Sequence, residues 1–301
     1  MMFRNLTLFA FPSSFSAVFL ALDDHLAGRQ LKPVGVVERS SRGFVPPLGR
    51  DSTALSHRID DCIWITLGGQ DRILPAAVVN EALASKVAEL ERREARKIGG
   101  KERARLRGDL EHYLLPRALV RPSRVNAYID IEKSLLVVDT SSRKTAEGVV
   151  SELRQALGSF PAMPVRPESR GSATLTHWIA HGPLPAGFKY GDECELSEPT
   201  ESGANVKCRR MELGSEDVRR HLEAGMRCTR LGLCFDDHLD FVLGDDLVVR
   251  KLKFLEGATA TLESVDHDSV EAEFFAQFAL MTAELKGLFF LLDRNFRIVR
   301  G

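Results

Sequence analysis

The sequence lacks the short motifs that mark common enzymatic sites. It contains no Walker loop, no GxGxxG, no HExxH and no GxSxG, so the usual signatures of nucleotide, dinucleotide, zinc-protease and serine-hydrolase chemistry are missing. No CxxC pair occurs among its five cysteines, and their odd number argues against a disulfide framework. We therefore expect free cysteines in a reducing cytosol.

Long apolar runs are also missing. Arg4 precedes an apolar-leaning stretch, but polar residues and Pro12 interrupt it, so no clean signal-peptide core forms. No apolar segment approaches the roughly 20 residues that a membrane span requires. The sequence thus predicts no membrane partner and a cytoplasmic location.

The chain has 301 residues, of which 44% are hydrophobic and 28% charged. This composition is ordinary for a globular protein, and the length allows two domains or one large one. Strands and helices alternate, with hairpins in place of regular βαβ crossovers. The predicted fold class is therefore α+β, with mixed sheets, hairpins and packed helices.

Positive charge is concentrated in residues 86–124. This segment holds 12 basic and 6 acidic residues, whereas the whole chain holds 41 and 42, which leaves 29 basic and 36 acidic residues elsewhere. A nearly neutral protein with one basic segment has a defined surface for a polyanion, and a nucleic-acid backbone is the commonest one. The alternative is a solvated helix whose Arg and Glu side chains pair at i,i+4.

The basic segment has the pattern of two helices. Val79, Leu83, Val87 and Leu90 form one apolar stripe after Pro75, and Leu106, Leu110, Tyr113 and Leu114 form a second one. We expect the first helix to continue to the break at Gly99-Gly100, which would place Arg96 and Lys97 on it. Two such helices predict a projecting arm that is apolar inside and basic outside.

Proline spacing after residue 158 indicates a linker. We expect an N-terminal α/β lobe of residues 1–75 plus 125–170, a basic helical arm of residues 76–124, and a C-terminal α/β lobe of residues 171–301. In the C-terminal lobe, residues 206–213 read as a strand, Ser215 as a helix cap, and Asp236-Asp237-His238 as the turn of a hairpin.

Two further helices follow from apolar spacing. Residues 145–157 form one, with Val149, Val150, Leu153 and Leu157 inward, and Gly158 should end it. Residues 270–292 form a long apolar one, whose apolar residues include Met281, Leu285 and Leu288.

Acidic clusters offer weak candidates for metal chemistry. The triplets Asp23-Asp24-His25 and Asp236-Asp237-His238 contain metal-ligating residue types, but neighbouring residues rarely face one ion. Asp130, Glu132 and Lys133 lie close together, yet strand alternation separates Lys133 from the two acids. We therefore expect no metal site, no catalytic residue and no cofactor. A metal-dependent, structure-specific nuclease stays as the enzymatic alternative.

A further resemblance extends over most of the chain. Leu114-Leu115-Pro116-Arg117-Ala118, preceded by Ala95-Arg96-Lys97, resembles the RdgC family of recombination-associated proteins. The likeness continues in order through Phe3-Arg4-Asn5-Leu6, residues 43–49, Ile73-Leu74-Pro75, Leu157-Gly158-Ser159, His221 with Glu223-Ala224-Gly225, Lys251-Leu252-Lys253-Phe254, and Leu280-Met281-Thr282 with Glu284-Leu285.

The resemblance implies a ring-shaped homodimer that binds DNA with little sequence preference. It also implies association with the nucleoid and antagonism of the RecA recombinase through occupation of DNA. Duplex DNA is the expected ligand, and binding of single-stranded DNA is left open. Arg96, Lys97, Arg117 and Lys253 match basic positions of the family. With the neighbouring cations, the candidate DNA-binding residues are Arg92, Arg96, Lys97, Lys101, Arg103, Arg107, Arg117, Arg121, Arg124, Lys251 and Lys253.

Three features depart from the family pattern. Leu119 stands where members can have an aromatic residue near the subunit contact, and Gly99-Gly100 replaces lysines at the turn of the arm. Residues 289–301 do not match the expected pattern. Leu119 and Phe289 are the candidate dimer-interface residues.

Together these observations predict a non-enzymatic protein that binds DNA without sequence specificity. Trp64, Trp178 and Tyr113 are expected in the core, and the resulting scarcity of exposed aromatic residues favours contact with the DNA backbone over reading of bases. A third possibility is a protein-interaction module whose basic arm binds an acidic partner.

Overall fold

The computed structural model describes residues 2–49, 52–200, 203–263 and 269–300. The chain divides into two compact units. Unit 1 comprises Met1–Gly28, Pro46–Thr66 and Val125–Gly301, and unit 2 comprises Arg29–Val45 and Leu67–Arg124. Strands and helices are mixed in both units, in agreement with the predicted α+β class.

The strands, numbered along the chain, are β1 Thr7–Ala10, β2 Ser40–Phe44, β3 Ser56–Ile59, β4 Cys62–Ile73, β5 Leu119–Asp130, β6 Leu135–Val138, β7 Met163–Pro164, β8 Arg166–Pro167, β9 Phe188–Ser197, β10 Asn205–Arg209, β11 Arg227–Phe235, β12 Leu239–Gly244, β13 Val249–Phe254 and β14 Ile298–Val299. The helices are α1 Leu22–Ala27, α2 Ala76–Glu94, α3 Gly100–Leu114, α4 Arg143–Leu157, α5 Gly171–His181, α6 Glu216–Glu223, α7 Glu256–Glu263 and α8 Val270–Phe296. Ser13–Ala21 and Leu115–Arg117 form 3-10 helices.

Unit 1 contains a sheet in which β5, β6, β1 and β7 are successive neighbours, and β3 pairs with the first half of β4. The β1–β6 pair is antiparallel with Phe9 opposite Leu136, and all eight residues of these two strands are buried. Strands buried this completely need apolar side chains on both faces, which explains their continuous hydrophobic sequences.

The second sheet of unit 1 has the order β10-β9-β11-β12-β13, and its pairs are all antiparallel. The predicted hairpin around Asp236-Asp237-His238 is confirmed as the β11–β12 turn, with positive φ at both aspartates. The predicted strand of residues 206–213 ends earlier, at Arg209, because Arg210 has a positive φ of 54° that breaks the ladder. Ser215 precedes α6 as predicted, but its hydroxyl makes no capping hydrogen bond.

The long helix α8 supplies the centre of the unit 1 core. Phe274 and Phe278 both contact the Trp64 ring, with centroids 5.0 Å apart in each case. The predicted inward residues Met281, Leu285 and Leu288 are indeed fully buried. By length and hydropathy α8 also meets the criterion for a membrane span, contrary to the sequence-based expectation. One side of α8 is nevertheless buried in the unit 1 core, through residues that include Phe274, Met281 and Leu292, whereas Val270 and Phe290 are exposed.

Helix α5 begins at a residue that has no room for a side chain. A Cβ placed on Gly171 would lie 2.1 Å from the carbonyl oxygen of Asp245. Its buried residues Leu175, Trp178 and Ile179 pack into the unit 1 core. Thr176 accepts the backbone N–H of Cys228 at 2.9 Å, which fixes α5 against β11.

Unit 2 combines a short sheet with a helical hairpin. β2 pairs antiparallel with the second half of β4, from Ser40 opposite Asp71 to Phe44 opposite Leu67. Helices α2 and α3 enclose a small apolar cluster of Val87, Leu90 and Ile98, against which Leu83 and Leu106 pack. The cluster and the residues packed against it include Leu83, Val87, Leu90 and Leu106 of the two predicted apolar stripes, whereas residues 119–124, predicted as part of the helical segment, belong to a strand.

Candidate nucleic-acid interface

The two basic helices of unit 2 join through a connector that begins earlier than the sequence predicts. Helix α2 ends at Glu94, since Ala95 adopts the left-handed conformation with φ 50°. The Glu91 carboxylate then accepts the backbone N–H of Ile98 at 2.9 Å, and the Ile98 side chain is buried. Arg96 and Lys97 therefore lie on the connector, and the prediction that they belong to α2 is wrong.

Arg96 is held by carboxylates of its own unit. Its guanidinium lies 2.6 Å from Glu94 and donates two hydrogen bonds to Glu102, at 2.7 and 2.8 Å. These hydrogen bonds raise the pKa of Arg96 and lower the pKa of Glu102. A phosphate that binds Arg96 must compete with both carboxylates, because they already neutralise most of the positive charge of the guanidinium.

Three other candidate arginines also have partners. Arg92 donates to the Ala88 carbonyl at 3.3 Å. Arg107 donates to Asn80 at 2.9 Å and to Glu111 at 3.3 Å. The Arg117 guanidinium lies 4.3 Å from the centre of the Tyr113 ring, a cation–π contact that leaves its N–H groups available to an anion.

Tyr113 does not belong to a buried stripe. Its side chain is 60% exposed, and Leu106, Leu110 and Leu114 are only half-buried. Helix α3 contains no fully buried residue, because the apolar cluster of unit 2 is too small to cover its inner face. The predicted buried stripe of this helix is therefore corrected to a partly exposed one.

Four candidate cations of unit 2 make no side-chain hydrogen bond or ion pair anywhere in the described part of the chain. These residues, called the unpaired cations below, are Lys97, Lys101, Arg103 and Arg121. All four side chains are exposed. Exposed cations without internal carboxylates attract external anions most strongly, because no internal ion pair has to be broken. Arg124 differs, since partial burial lowers its pKa.

The two candidate lysines of unit 1 lie on β13. Lys251 Nζ contacts the Glu193 carboxylate at 2.6 Å, whereas the Lys253 side chain is exposed and makes no hydrogen bond or ion pair with the described residues. Both lysines border a cleft of about 510 Å³ that passes over Gly191 and Gly232, where side chains are missing from the sheet face. Asp192, Glu193 and Asp240 also line this cleft, so its charge is mixed.

Sequence reasoning missed three further cations on the same sheet face. Lys207 lies 3.7 Å from Glu195, Arg209 lies 4.0 Å from Glu193, and Arg230 contacts Glu195 at 2.9 Å. In the register of β9 and β10, Lys207 is opposite Glu195 and Arg209 opposite Glu193. The sequence contained a signal for these cations. Glu193-Cys194-Glu195 and Lys207-Cys208-Arg209 both alternate charged with apolar residues, and in a strand this alternation places the two like charges on the same face.

The two candidate interface residues have different surroundings. Leu119 is 79% exposed in unit 2, whereas Phe289 is 5% exposed and belongs to the core of unit 1. The side chain beside it, Phe290, is 65% exposed. A subunit contact at this end of α8 would therefore involve Phe290 directly and Phe289 only through packing.

The acidic candidates are engaged in ways that do not form a metal site. Asp237 contacts Lys189 at 2.6 Å, His238 contacts Glu284 at 3.0 Å, and Asp23 accepts from Ser56 at 2.7 Å. Among the residues that the structure describes, no three His, Cys, Asp or Glu side chains are placed to hold a metal ion. Neither Asp-Asp-His triplet forms such a group.

The third acidic candidate, Asp130, is completely buried. Its Oδ1 accepts the backbone N–H of Lys133 at 2.8 Å, whereas its Oδ2 has no partner. Burial raises the pKa of Asp130, and it also raises the pKa of the neighbouring Cys62 thiol to about 12. Glu132 is exposed and contacts Lys133 and Lys286, which lower its pKa.

Comparison with known proteins identifies close relatives along the full chain. A family model described as "Putative exonuclease, RdgC" matches residues 1–298, so most of residues 289–301 lies inside the family match, contrary to the sequence-based expectation. The protein named "Recombination-associated protein RdgC" from Xanthomonas axonopodis pv. citri (strain 306) is 53% identical over 302 positions, covering 100% of both chains.

Relatives with the same name occur in other bacteria. The protein of Xanthomonas campestris pv. campestris (strain B100) is 54% identical, covering 100% of this chain and 99% of its own. That of Stenotrophomonas maltophilia (strain R551-3) is 51% identical, with both chains covered completely. With a match over residues 1–298 and more than half of all positions identical to full-length relatives, this chain belongs to the RdgC family of recombination-associated proteins.

Proposed function

We propose that this protein binds DNA without sequence specificity, through contacts to the phosphate backbone. The observation that supports this most directly is the set of unpaired cations, Lys97, Lys101, Arg103 and Arg121, all exposed and in one compact unit. Cations of this kind neutralise phosphates and release condensed counterions, which gives affinity that does not depend on base sequence. Membership of a recombination-associated family agrees with a DNA ligand.

The same proposal includes a ring-shaped homodimer that encircles duplex DNA and limits access of the RecA recombinase. The family resemblance and the 79% exposed Leu119 side chain support a subunit contact on unit 2. Topological closure would slow dissociation without any base contact. A cytoplasmic, nucleoid-associated location follows from this role.

Equilibrium binding tests sequence independence directly. Fluorescence anisotropy with three labelled duplexes of unrelated sequence should give dissociation constants within a few-fold of one another at each salt concentration. If about 6–10 phosphates are neutralised, affinity should fall by about 10³–10⁵ between 50 and 200 mM salt. Affinity confined to one sequence would contradict the proposal, and no binding to any length of DNA at low salt would favour an acidic protein partner.

Ring closure has its own test. Dissociation from a nicked circle should be much slower than from a linear duplex of equal length, because a closed ring can leave a linear molecule only at its ends. Light scattering of the free protein should give twice the monomer mass. Equal dissociation rates from both DNA forms would leave backbone binding intact but remove the ring from the proposal.

A nuclease is the second candidate, favoured by the exonuclease description of the family match and by the unpartnered Oδ2 of buried Asp130. We propose that the protein is not an enzyme, and incubation of labelled linear DNA with Mg²⁺ or Mn²⁺ distinguishes the two functions. Intact DNA is the expected result. Cleavage that disappears in an Asp130→Asn variant of unchanged fold would establish the nuclease instead.

A further inference from the structure

Two histidines of α5 stand one helical turn apart on its exposed side. His177 and His181 are four positions apart in the sequence, and their rings stack with centroids 4.8 Å apart and an interplanar angle of 24°. Both side chains are exposed. Neither imidazole takes part in a hydrogen bond or ion pair with any other described residue, so their nitrogen atoms are available to an external ligand.

We propose that His177 and His181 form a binding site for a transition-metal cation of the Zn²⁺, Cu²⁺ or Ni²⁺ class. Two histidines at i and i+4 on one helix face are the spacing with which helices present two imidazole nitrogens to zinc. Neutral imidazole is a preferred ligand of these ions, whereas Mg²⁺ and Ca²⁺ require oxygen ligands. The site should therefore prefer transition-metal ions over Mg²⁺ and Ca²⁺, because it offers nitrogen and not oxygen donors.

The backbone beneath the pair is held in place before any metal binds. Leu175, Trp178 and Ile179, on the opposite side of α5, are buried in the core of unit 1. Thr176 links the helix to β11 through the Cys228 N–H. Only the side-chain rotations of the two histidines have to be restricted on binding, which keeps the entropic cost of binding low.

The position within the helix also favours a cation. His181 is the last residue of α5 and His177 lies one turn before it. Carbonyl groups without intrahelical partners concentrate partial negative charge at a helix C-terminus. A dication bound between the two imidazoles therefore lies in a favourable field.

Two protein ligands leave the remaining coordination positions open. A structural zinc site uses four protein ligands, and no third His, Cys, Asp or Glu is placed to complete one among the described residues. The proposed site is therefore an exchangeable one, whose other positions are filled by water or by a donor from another molecule. It is independent of the DNA-binding proposal, since α5 carries none of the candidate DNA-binding residues.

The test uses the complete, tag-free chain after removal of metal with EDTA. Titration with Cu²⁺ followed by calorimetry should show one equivalent bound in the highest-affinity step, and electron paramagnetic resonance should show two coordinated nitrogens. His177→Gln and His181→Gln should each weaken this step by about tenfold or more, because two-point attachment is lost. Zn²⁺ should compete for the site, and Mg²⁺ should not.

His112→Gln is the matched control, since His112 is also exposed and lies in the last turn of a helix, α3, without a second histidine nearby. It should leave the Cu²⁺ titration unchanged. Circular dichroism of each variant verifies the fold. Unchanged binding in the double variant His177→Gln/His181→Gln, or a one-nitrogen spectrum from the natural protein, would overturn the proposal and show adventitious metal binding only.

Discussion

The two units differ in how they use apolar and charged side chains. Unit 1 contains a large core in which α8 packs against two sheets, and four cations of its sheet face contact Glu193 or Glu195. Between its two helices unit 2 has a buried apolar cluster of only three residues, yet it carries the unpaired cations. The number of basic residues in a region therefore does not show how much positive charge a ligand can reach. That charge depends on which cations already pair with carboxylates of the protein.

The largest expected effect concerns the two cores. Phe278→Ala in unit 1 should lower the free energy of unfolding by about 3–5 kcal/mol, because the ring is fully buried against Trp64 and Tyr128. Leu90→Ala in unit 2 should cost about 2 kcal/mol, since its small cluster can collapse around the cavity. Urea unfolding of both variants measures the difference, and equal losses would contradict the contrast between the cores.

The next effect compares paired with unpaired cations. Replacement of Lys97, Lys101 and Arg103 by alanine should reduce the slope of log affinity against log salt by about 2.7 and weaken DNA binding by about 10²–10³-fold near 0.1 M salt. Replacement of Arg93, Arg96 and Arg107, which are paired, removes the same formal charge but should cost only a few-fold. Equal losses in anisotropy titrations would show that internal pairing does not matter.

A single acidic residue should act in the opposite direction. Glu102→Gln removes the carboxylate that binds Arg96 through two hydrogen bonds, so only Glu94 still competes with phosphate for Arg96. DNA affinity should rise about three- to tenfold at 0.1 M salt, with a slope steeper by about 0.9. Glu81→Gln is the control, because Glu81 lies on α2 and makes no ion pair with any residue that the structure describes, so the variant removes one acidic charge and releases no cation. A similar gain in that variant would indicate a general effect of net charge.

The smallest effect is a pH dependence inside unit 1. Burial raises the folded-state pKa of Asp130 above its unfolded value. Below the unfolded pKa the carboxyl is protonated in both states, so ionisation does not reduce the free energy of unfolding. As pH rises through the raised folded pKa, ionisation favours the unfolded state and stability is lost. The stability of Asp130→Asn relative to the natural protein should therefore increase with pH across this window and then level off.

Glu132 in the same turn provides the opposite sign. Lys133 and Lys286 lower its folded-state pKa, so its contribution is present above the unfolded pKa and lost as pH falls through the folded value. Glu132→Gln should therefore be less stable than the natural protein at neutral pH, and this difference should disappear as the pH falls into the acidic range. Urea midpoints between pH 3 and pH 8 measure both variants, and parallel pH profiles would contradict the assignment.

Sequence reasoning succeeded where structure is set by local chemistry. The apolar spacing of Val149, Val150 and Leu153, ended by Gly158, predicted α4 almost to its observed bounds. The turn at Asp236 and Asp237 and the buried face of α8 were also predicted. These features depend on neighbouring residues whose side chains fix the period, the stop and the turn.

It failed where distant contacts decide. The end of α2 at Glu94 follows from the left-handed Ala95 and from burial of Ile98, neither of which a helix-forming sequence reveals. The partners of Lys251 and Arg209 depend on sheet register and on residues far away in the chain. The candidate residues could be identified from charge, but their availability could not.

The start of α5 has a consequence for how mutational scans of this protein should be read. Gly171 lies against the Asp245 carbonyl so closely that even one methyl group would displace the helix. Every substitution at this position should lower the amount of folded protein in an abundance-based scan, for small and large side chains alike. Such intolerance would resemble that of a ligand-binding residue, although its origin is a steric collision between two backbone segments.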